Sequence, residues 1–276
     1  MEETGIGFTE SFGMAFLVLI VIALAVSSVG FYKYVYFISL GYGFSIAAMG
    51  IAMPVMFREN LSIATIVACL LFVVYGCRLG GYLLVREIKS ASYRSTMKKE
   101  IKDGKDMKMV AKISIWVSCA LLYALQVSPV FFRMKTVAAT DPVAVAGAVI
   151  MALGILLESA ADWQKSKQKA VNPNRFCDKG LYKIVRCPNY LGEVLFWTGV
   201  FVSSVNILDG GWQWAAALAG YLCIVYIMFG GARRLELRQN RNYGEDPEYQ
   251  AYVKKTPILL PLIPLYSVAK YKWLVG

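Results

Sequence analysis

The chain has 276 residues, is 58% hydrophobic, carries a net charge of +11 and contains no histidine. A soluble domain of this size is nearer half apolar, whereas here runs of about 20 apolar residues recur, each long enough to cross a bilayer as a helix. That pattern excludes a soluble basic domain built to bind nucleic acid, and the missing histidine removes the usual zinc ligand, haem ligand and acid/base residue.

The expected fold is therefore all-α: one polytopic membrane domain over residues 1–276, multi-pass and surrounded by membrane lipids. Any proton donor must be Tyr, Lys, Cys, Asp or Glu. The cysteines are Cys69, Cys77, Cys119, Cys177, Cys187 and Cys223, and none forms a CxxC pair. Neither a disulfide framework nor a metal site is expected.

At the N-terminus, MEETGIGFTE is acidic and lacks a positive n-region, so the first apolar run reads as a retained helix. Spans are expected at about 11–31, 35–57, 61–85, 111–132, 142–160, 190–206 and 212–231, seven in all. Linkers on one side are basic: Lys33, then 86–110, 161–189 and 232–256. Arg86 to Lys112 alone holds nine Lys/Arg against four acids. The opposite linkers, Arg58-Glu59-Asn60, 133–141 and 206–211, are short and nearly neutral. This asymmetry predicts an outside N-terminus and a cytoplasmic C-terminus. PILLPLIPL, residues 257–265, is too short and too rich in proline to span, and is expected at the interface.

Four polar patterns interrupt the apolar runs. In the third span, Tyr75, Arg78 and Tyr82 fall at i, i+3, i+7 and share a helix face that should point inward. The competing reading is that Arg78 snorkels to the membrane edge. At the end of the fifth span, Glu158, Asp162, Lys165 and Lys169 form a stripe that also suits a solvated face of i,i+4 ion pairs.

The stretch RCPNYLGEVLFW, residues 186–197, carries the third pattern. Pro188 bars helix through that point and Asn189 suits an N-cap. Arg186, Tyr190, Glu193 and Trp197 then align at i, i+4, i+7, i+11. A capped helix with interface aromatics would account for most of this. It does not account for Glu193, a carboxylate one turn inside a span, which is costly without a partner.

The fourth pattern is Arg233, Arg234, Glu236 and Arg238, followed by Tyr249, Tyr252, Lys254 and Lys255. Together the blocks suggest a basic cavity with aromatic walls, suited to a ligand with phosphates and flat rings. Neither GxGxxG after a strand nor GxxxxGK[ST] occurs, so a dinucleotide would be held without a Rossmann fold.

Three of these stretches, ESAADWQKSKQK, DKGLYKIVRCPNYLGEVLFWTG and YQAYVKKTPILLPLIP, resemble the steroid 5-alpha-reductase superfamily, nearest its 3-oxo-5-alpha-steroid 4-dehydrogenase-like branch. The resemblance runs from about residue 58 to 264, with the cofactor region at 140–264 and a weak match over 1–57. It implies a seven-helix membrane oxidoreductase of steroid or other lipid metabolism. NADPH would bind from the cytosolic side and pass hydride to an activated C=C bond.

By that resemblance Asp162, Arg175, Asn189 and Glu193 match cofactor positions, and Tyr182, Arg186 and Tyr190 belong to the same motif. Arg233 or Arg234 and Tyr252 match its C-terminal part. With them the basic residues Lys165, Lys169 and Arg238 join the expected cofactor set. Tyr75 and Arg78 match a third-span tyrosine and arginine, the tyrosine facing the substrate ketone, and Tyr42 is a further substrate candidate. Two departures stand out. Cys187 replaces the usual histidine, and the second span lacks the family's glutamate, Ala52 being its nearest counterpart.

The implied substrate is a lipophilic enone, such as a 3-oxo-4-ene steroid, in a bacterial plasma membrane or the endoplasmic reticulum. One alternative is an S-adenosylmethionine-dependent isoprenylcysteine-type methyltransferase. Another is a non-catalytic sterol- or lipid-binding protein.

Overall fold

The computed structural model describes residues 12–89, 107–136 and 139–274. The acidic N-terminal decapeptide and most of the basic linker after Arg86 lie outside the described residues. Every regular element among those described is helical: α1 (Phe12–Ser27), α2 (Leu40–Met56), α3 (Ile63–Lys89), α4 (Met109–Lys135), α5 (Pro142–Val171), α6 (Pro188–Val202), α7 (Gly210–Tyr243) and α8 (Pro247–Lys255). Short 3-10 turns stand at Ser28–Phe31, Tyr34–Phe37 and Gly180–Lys183.

Six segments among the described residues are long and apolar enough to cross a membrane. This corrects the expectation of seven. The run expected at 190–206 is α6, only 15 residues. At 1.5 Å per residue it reaches roughly 22 Å, short of a hydrocarbon layer of roughly 30 Å. It ends there because the backbone beyond it is claimed from outside. The Arg133 Nε donates to the Ser203 carbonyl (2.8 Å) and Arg133 Nη2 donates to the Asn206 side chain (2.7 Å).

The chain divides into two compact units, Met1–Ala148 with Val200–Gly220, and Val149–Gly199 with Tyr221–Gly276. In the first unit, α2 and α3 meet backbone to backbone. A Cβ at Gly76 would lie 2.2 Å from the Gly43 carbonyl oxygen, and one at Gly43 would lie 2.8 Å from the Gly80 amide nitrogen. Small residues are what allow such an approach between apolar helices, where water supplies no drive to associate. The contact also sets chemistry in place. Tyr42 and Tyr75 flank Gly43 and Gly76 in the chain, and their hydroxyls are 2.9 Å apart in a buried hydrogen bond.

Pro129 inside α4 removes the amide that would otherwise bond the Leu125 carbonyl. α7 uses the gap: a Cβ at Gly220 would lie 2.5 Å from that oxygen. One turn further on, Arg133 is almost fully buried and fully engaged. Besides Ser203 and Asn206 it donates to the Ala139 carbonyl (3.1 Å) and to Asp141 Oδ2 (2.8 Å). Asp141 in turn caps α5, accepting from the Ala144 amide at 2.8 Å, with Pro142 following it at the first helical position.

Burial alone pushes the Asp141 carboxyl up. The Ala144 amide, Asn206 and Arg133 outweigh it and hold the group down at about 2. A carboxyl titrates near 3.9 in an unfolded chain. The stabilisation is therefore complete above about pH 4 and is lost as the pH falls through about 2. Thermal unfolding in detergent should show Asp141→Asn less stable than wild type at pH 7, with the two melting curves converging toward pH 2.

The same assay tests the α2–α3 contact. Gly76→Ala must force two backbones apart and should destabilise by about 1–3 kcal/mol. Gly81→Ala, where a Cβ meets nothing within 4 Å, should be neutral or slightly stabilising.

Candidate functional site

In the second unit α5 and α6 also touch through glycine. A Cβ at Gly154 would lie 2.5 Å from the Phe196 amide nitrogen, and one at Gly192 would lie 2.7 Å from that of Glu158. This approach brings two acids in from facing helices, Glu158 at 5% exposure and Glu193 at 4%. Glu193 accepts from the Trp197 indole N–H at 3.3 Å. The expected i,i+4 alignment of a carboxylate with an indole on this face is thus present.

The helix start differs from expectation. α6 begins at Pro188, and the Leu191 amide bonds the Cys187 carbonyl at 3.0 Å, so Cys187 caps the helix and Asn189 is its second residue. Proline is favoured at the first position because its missing N–H would be unsatisfied there anyway. Arg186 therefore precedes the helix and does not share the Tyr190–Glu193–Trp197 stripe. Tyr190 packs against Gly231 of α7, with the guanidinium groups of Arg234 and Arg238 beside it.

The last turns of α5 pin the loop before α6. Gln164 accepts from the Leu181 amide (2.8 Å), and Gln168 accepts from the amides of Asp178 and Lys179 (both 3.3 Å). Gly180 adopts φ +64°, and a Cβ there would lie 2.4 Å from Gln164 Oε1. Lys169 donates to the carbonyls of Pro173 (2.9 Å) and Arg175 (2.5 Å) and to the Tyr243 hydroxyl (3.0 Å). The stripe read from the sequence is therefore a loop anchor at its far end. Asp162 and Lys165 occupy the half-buried turn between Glu158 and that anchor.

An aromatic wall is present. Phe176 has ring centroids of Tyr249 at 5.2 Å, Tyr252 at 5.3 Å and Tyr243 at 5.9 Å, and the Arg175 guanidinium lies over it at 4.8 Å. The Tyr252 hydroxyl donates to the Tyr182 carbonyl at 2.7 Å, and Tyr182 is itself 4% exposed. Burial holds the Tyr182 and Tyr252 phenols well above their usual range and pushes Tyr249 up to about 12, Arg186 pulling Tyr249 the other way. Burial also pushes the Cys187 thiol up to about 12. All of these groups are neutral at physiological pH, so this wall offers hydrogen-bond donors rather than nucleophiles.

The centre of the unit is a buried ion pair. Arg186 Nη2 donates to Glu236 Oε1 at 2.8 Å, with side chains 0% and 1% exposed. The same nitrogen donates to the Tyr266 carbonyl, and Glu236 Oε2 accepts from the Val268 amide at 2.8 Å. The backbone joins in: the amides of Arg186 and Cys187 donate to the carbonyls of Pro257 (2.9 Å) and Ile258 (3.0 Å). Arg233 adds hydrogen bonds to the Ala269 (3.2 Å) and Leu274 (3.4 Å) carbonyls. A tail of non-helical chain is thereby strapped over the end of α7, with Cys187, Val194, Ala232, Ile258 and Val268 in one apolar cluster beneath it.

Arg186 is incompletely used. Its Nε and Nη1 are buried and make no close hydrogen bond among the described residues; the Tyr249 hydroxyl, which donates to Asn240 Oδ1 at 2.8 Å, lies near enough to interact with the guanidinium. An unfilled edge of a buried guanidinium is the donor geometry that a phosphate or carboxylate fills.

The sequence-predicted cations thus separate. Arg175 is ion-paired with Asp178 (2.8 Å) and Glu248 (2.5 Å), which raise its pKa, and Arg233 is spent on the tail. Arg234 and Arg238 stand beside Tyr190, and Arg186 beside Tyr249 and Tyr252. In the first unit, Tyr42 and Tyr75 are joined, and Arg78 lies over the Tyr82 ring at 5.9 Å. Sequence reasoning does not single out Gln164, Gln168, Phe176 or Tyr243, and it names Glu236 only as a member of the charged run in α7. Of the first four, only Gln164 and Gln168 left a trace in the sequence, on the same helix face four residues apart.

Residues 15–256 match the family model described as Protein of unknown function (DUF1295). The chain belongs to this family. The DUF1295 match takes in both units and ends before the tail that holds Arg186 and Arg233. No curated protein and no solved structure matches this chain.

The ion pair yields a stability test. Glu236→Leu leaves Arg186 charged and uncompensated, and should destabilise by about 3–5 kcal/mol. Arg186→Met/Glu236→Leu removes both charges and should regain most of that loss in thermal unfolding.

Proposed function

We propose that the chain is a membrane-embedded, NADPH-dependent reductase acting on the activated C=C bond of a lipophilic enone. The observation that carries this reading is the fully buried edge of Arg186, without a close hydrogen bond among the described residues and beside the neutral phenols of Tyr249 and Tyr252. A dinucleotide phosphate and its flat rings match that donor set. The resemblance of RCPNYLGE to the steroid 5-alpha-reductase superfamily, and the association of DUF1295 with steroid 5-alpha-reductase-like proteins, support the same reading.

In this reading Arg186, Arg234 and Arg238 hold the phosphates, Tyr249 and Tyr252 flank the rings, and Asn189 and Glu193 orient the nicotinamide amide. Bound NADPH supplies hydride. The second contribution comes from Tyr75 and Tyr42 of the first unit. Tyr75 is 0% exposed and donates to Tyr42 at 2.9 Å. A hydroxyl rotates to suit its partner, so this pair can turn a donor toward an enone oxygen. As negative charge develops on that oxygen, a pre-placed phenol in a dry site stabilises it. The pair takes the role that the missing second-span glutamate would otherwise fill.

The test is NADPH oxidation by purified protein in detergent, dependent on an added 3-oxo-4-ene steroid or enone lipid. Tyr75→Phe should retain cofactor binding and lose about 10²-fold or more in turnover. Equal turnover in that variant removes Tyr75 from the mechanism, and no enone-dependent oxidation by the wild type contradicts the reading itself.

A further inference from the structure

The α4 helix carries a polar stripe through the interior of the first unit: Tyr123, Gln126 and Arg133 fall at i, i+3, i+10 and share one face. The fold satisfies its two outer members. The Tyr123 hydroxyl donates to the Phe37 carbonyl at 2.7 Å, and Arg133 makes four hydrogen bonds. Gln126, between them, is treated differently. It is 2% exposed, and neither its Nε2 nor its Oε1 has a hydrogen-bond partner among the described residues.

A buried amide with both halves unmet is unusual, because each unmet group keeps its full desolvation penalty. An apolar side chain of similar shape would pack there without one. The position is linked through Tyr123 to Tyr42, given a substrate role above. The Tyr123 and Tyr42 rings have centroids 5.1 Å apart, and Gln126 lies one helical turn along from Tyr123.

We propose that Gln126 binds a hydroxyl group of the lipophilic ligand. The chemistry narrows the choice. A carboxamide offers two N–H donors and one acceptor oxygen. A hydroxyl can accept from the NH2 and donate to the C=O, filling both halves, whereas a ketone fills only the donor half. Gln126 is then a specificity residue: it selects a hydroxylated lipid over its oxidised counterpart. This rests on the lipid-ligand half of the reading above and not on the cofactor or the reduction.

The experiment is ligand binding and thermal unfolding of the detergent-purified protein, wild type against Gln126→Met, which keeps length and removes both polar atoms. The probes are two pairs differing at one oxygen: testosterone with androst-4-ene-3,17-dione, and farnesol with farnesal. In at least one pair the wild type should bind the alcohol about tenfold or more tightly over the carbonyl compound. Gln126→Met should abolish that preference, and its unliganded melting temperature should equal or exceed the wild type's. A preference kept by the variant, no preference or no binding in either pair by the wild type, or a lower melting temperature in the variant each overturns the proposal. Failure of NADPH-dependent turnover with the alcohol preference intact would remove the reductase reading and leave this one standing.

Discussion

A guanidinium and a carboxylate, Arg186 and Glu236, are buried together at 1% exposure each, and the second unit is arranged around satisfying them. Two charges removed from water carry a desolvation penalty that their mutual attraction repays only when the remaining hydrogen-bond positions are also filled. On the carboxylate side they are: one oxygen takes Arg186 and the other takes the Val268 amide. Meeting that need draws in residues 256–274, which have no helix of their own. The strap then fixes the start of α6, the end of α7 and the side chain of Arg233. On the guanidinium side Nε and Nη1 make no close hydrogen bond among the described residues, the Tyr249 hydroxyl lying beside them.

Close helix contact through glycine serves both units in the same way. Gly43 and Gly76 bring Tyr42 and Tyr75 within hydrogen-bond distance. Gly154 and Gly192 set Glu158 and Glu193 into the contact between α5 and α6. In each case the polar residue sits next to, or one turn from, the residue that lets the backbones touch. Packing between apolar helices, which lipid does not drive, and placement of the polar groups are thus one constraint.

Helical character, the apolar spans and the aromatic, basic chemistry of the second unit could be read from residue types and period alone. Tyr75 and Tyr42, which residue type marks as substrate candidates, share a hydrogen bond, and Tyr249 and Tyr252 both pack against Phe176. What could not be read is where a polar side chain finds its partner. Spacing alone aligns Arg186 with Tyr190, Glu193 and Trp197, but the helix starts at Pro188 and Arg186 precedes it. The length of α6 escaped for a related reason: the apolar run continues past Val202, but Arg133, 70 residues earlier, takes the Ser203 carbonyl. Glu236 and the tail carbonyls are long-range partners with no periodic signature, and the spacing of Gln126 with Tyr123 and Arg133 does not say which of the three finds a partner.

The most direct test is isothermal titration of NADPH and of S-adenosylmethionine into the wild type and into Arg186→Met/Glu236→Leu, the variant that keeps the unit electrically balanced. The account predicts NADPH binding to the wild type, its loss in the folded double variant, and no binding of S-adenosylmethionine to either. NADPH binding that survives in the double variant would show that the buried guanidinium edge is not a phosphate site. Binding of S-adenosylmethionine in place of NADPH would contradict the reductase reading as a whole.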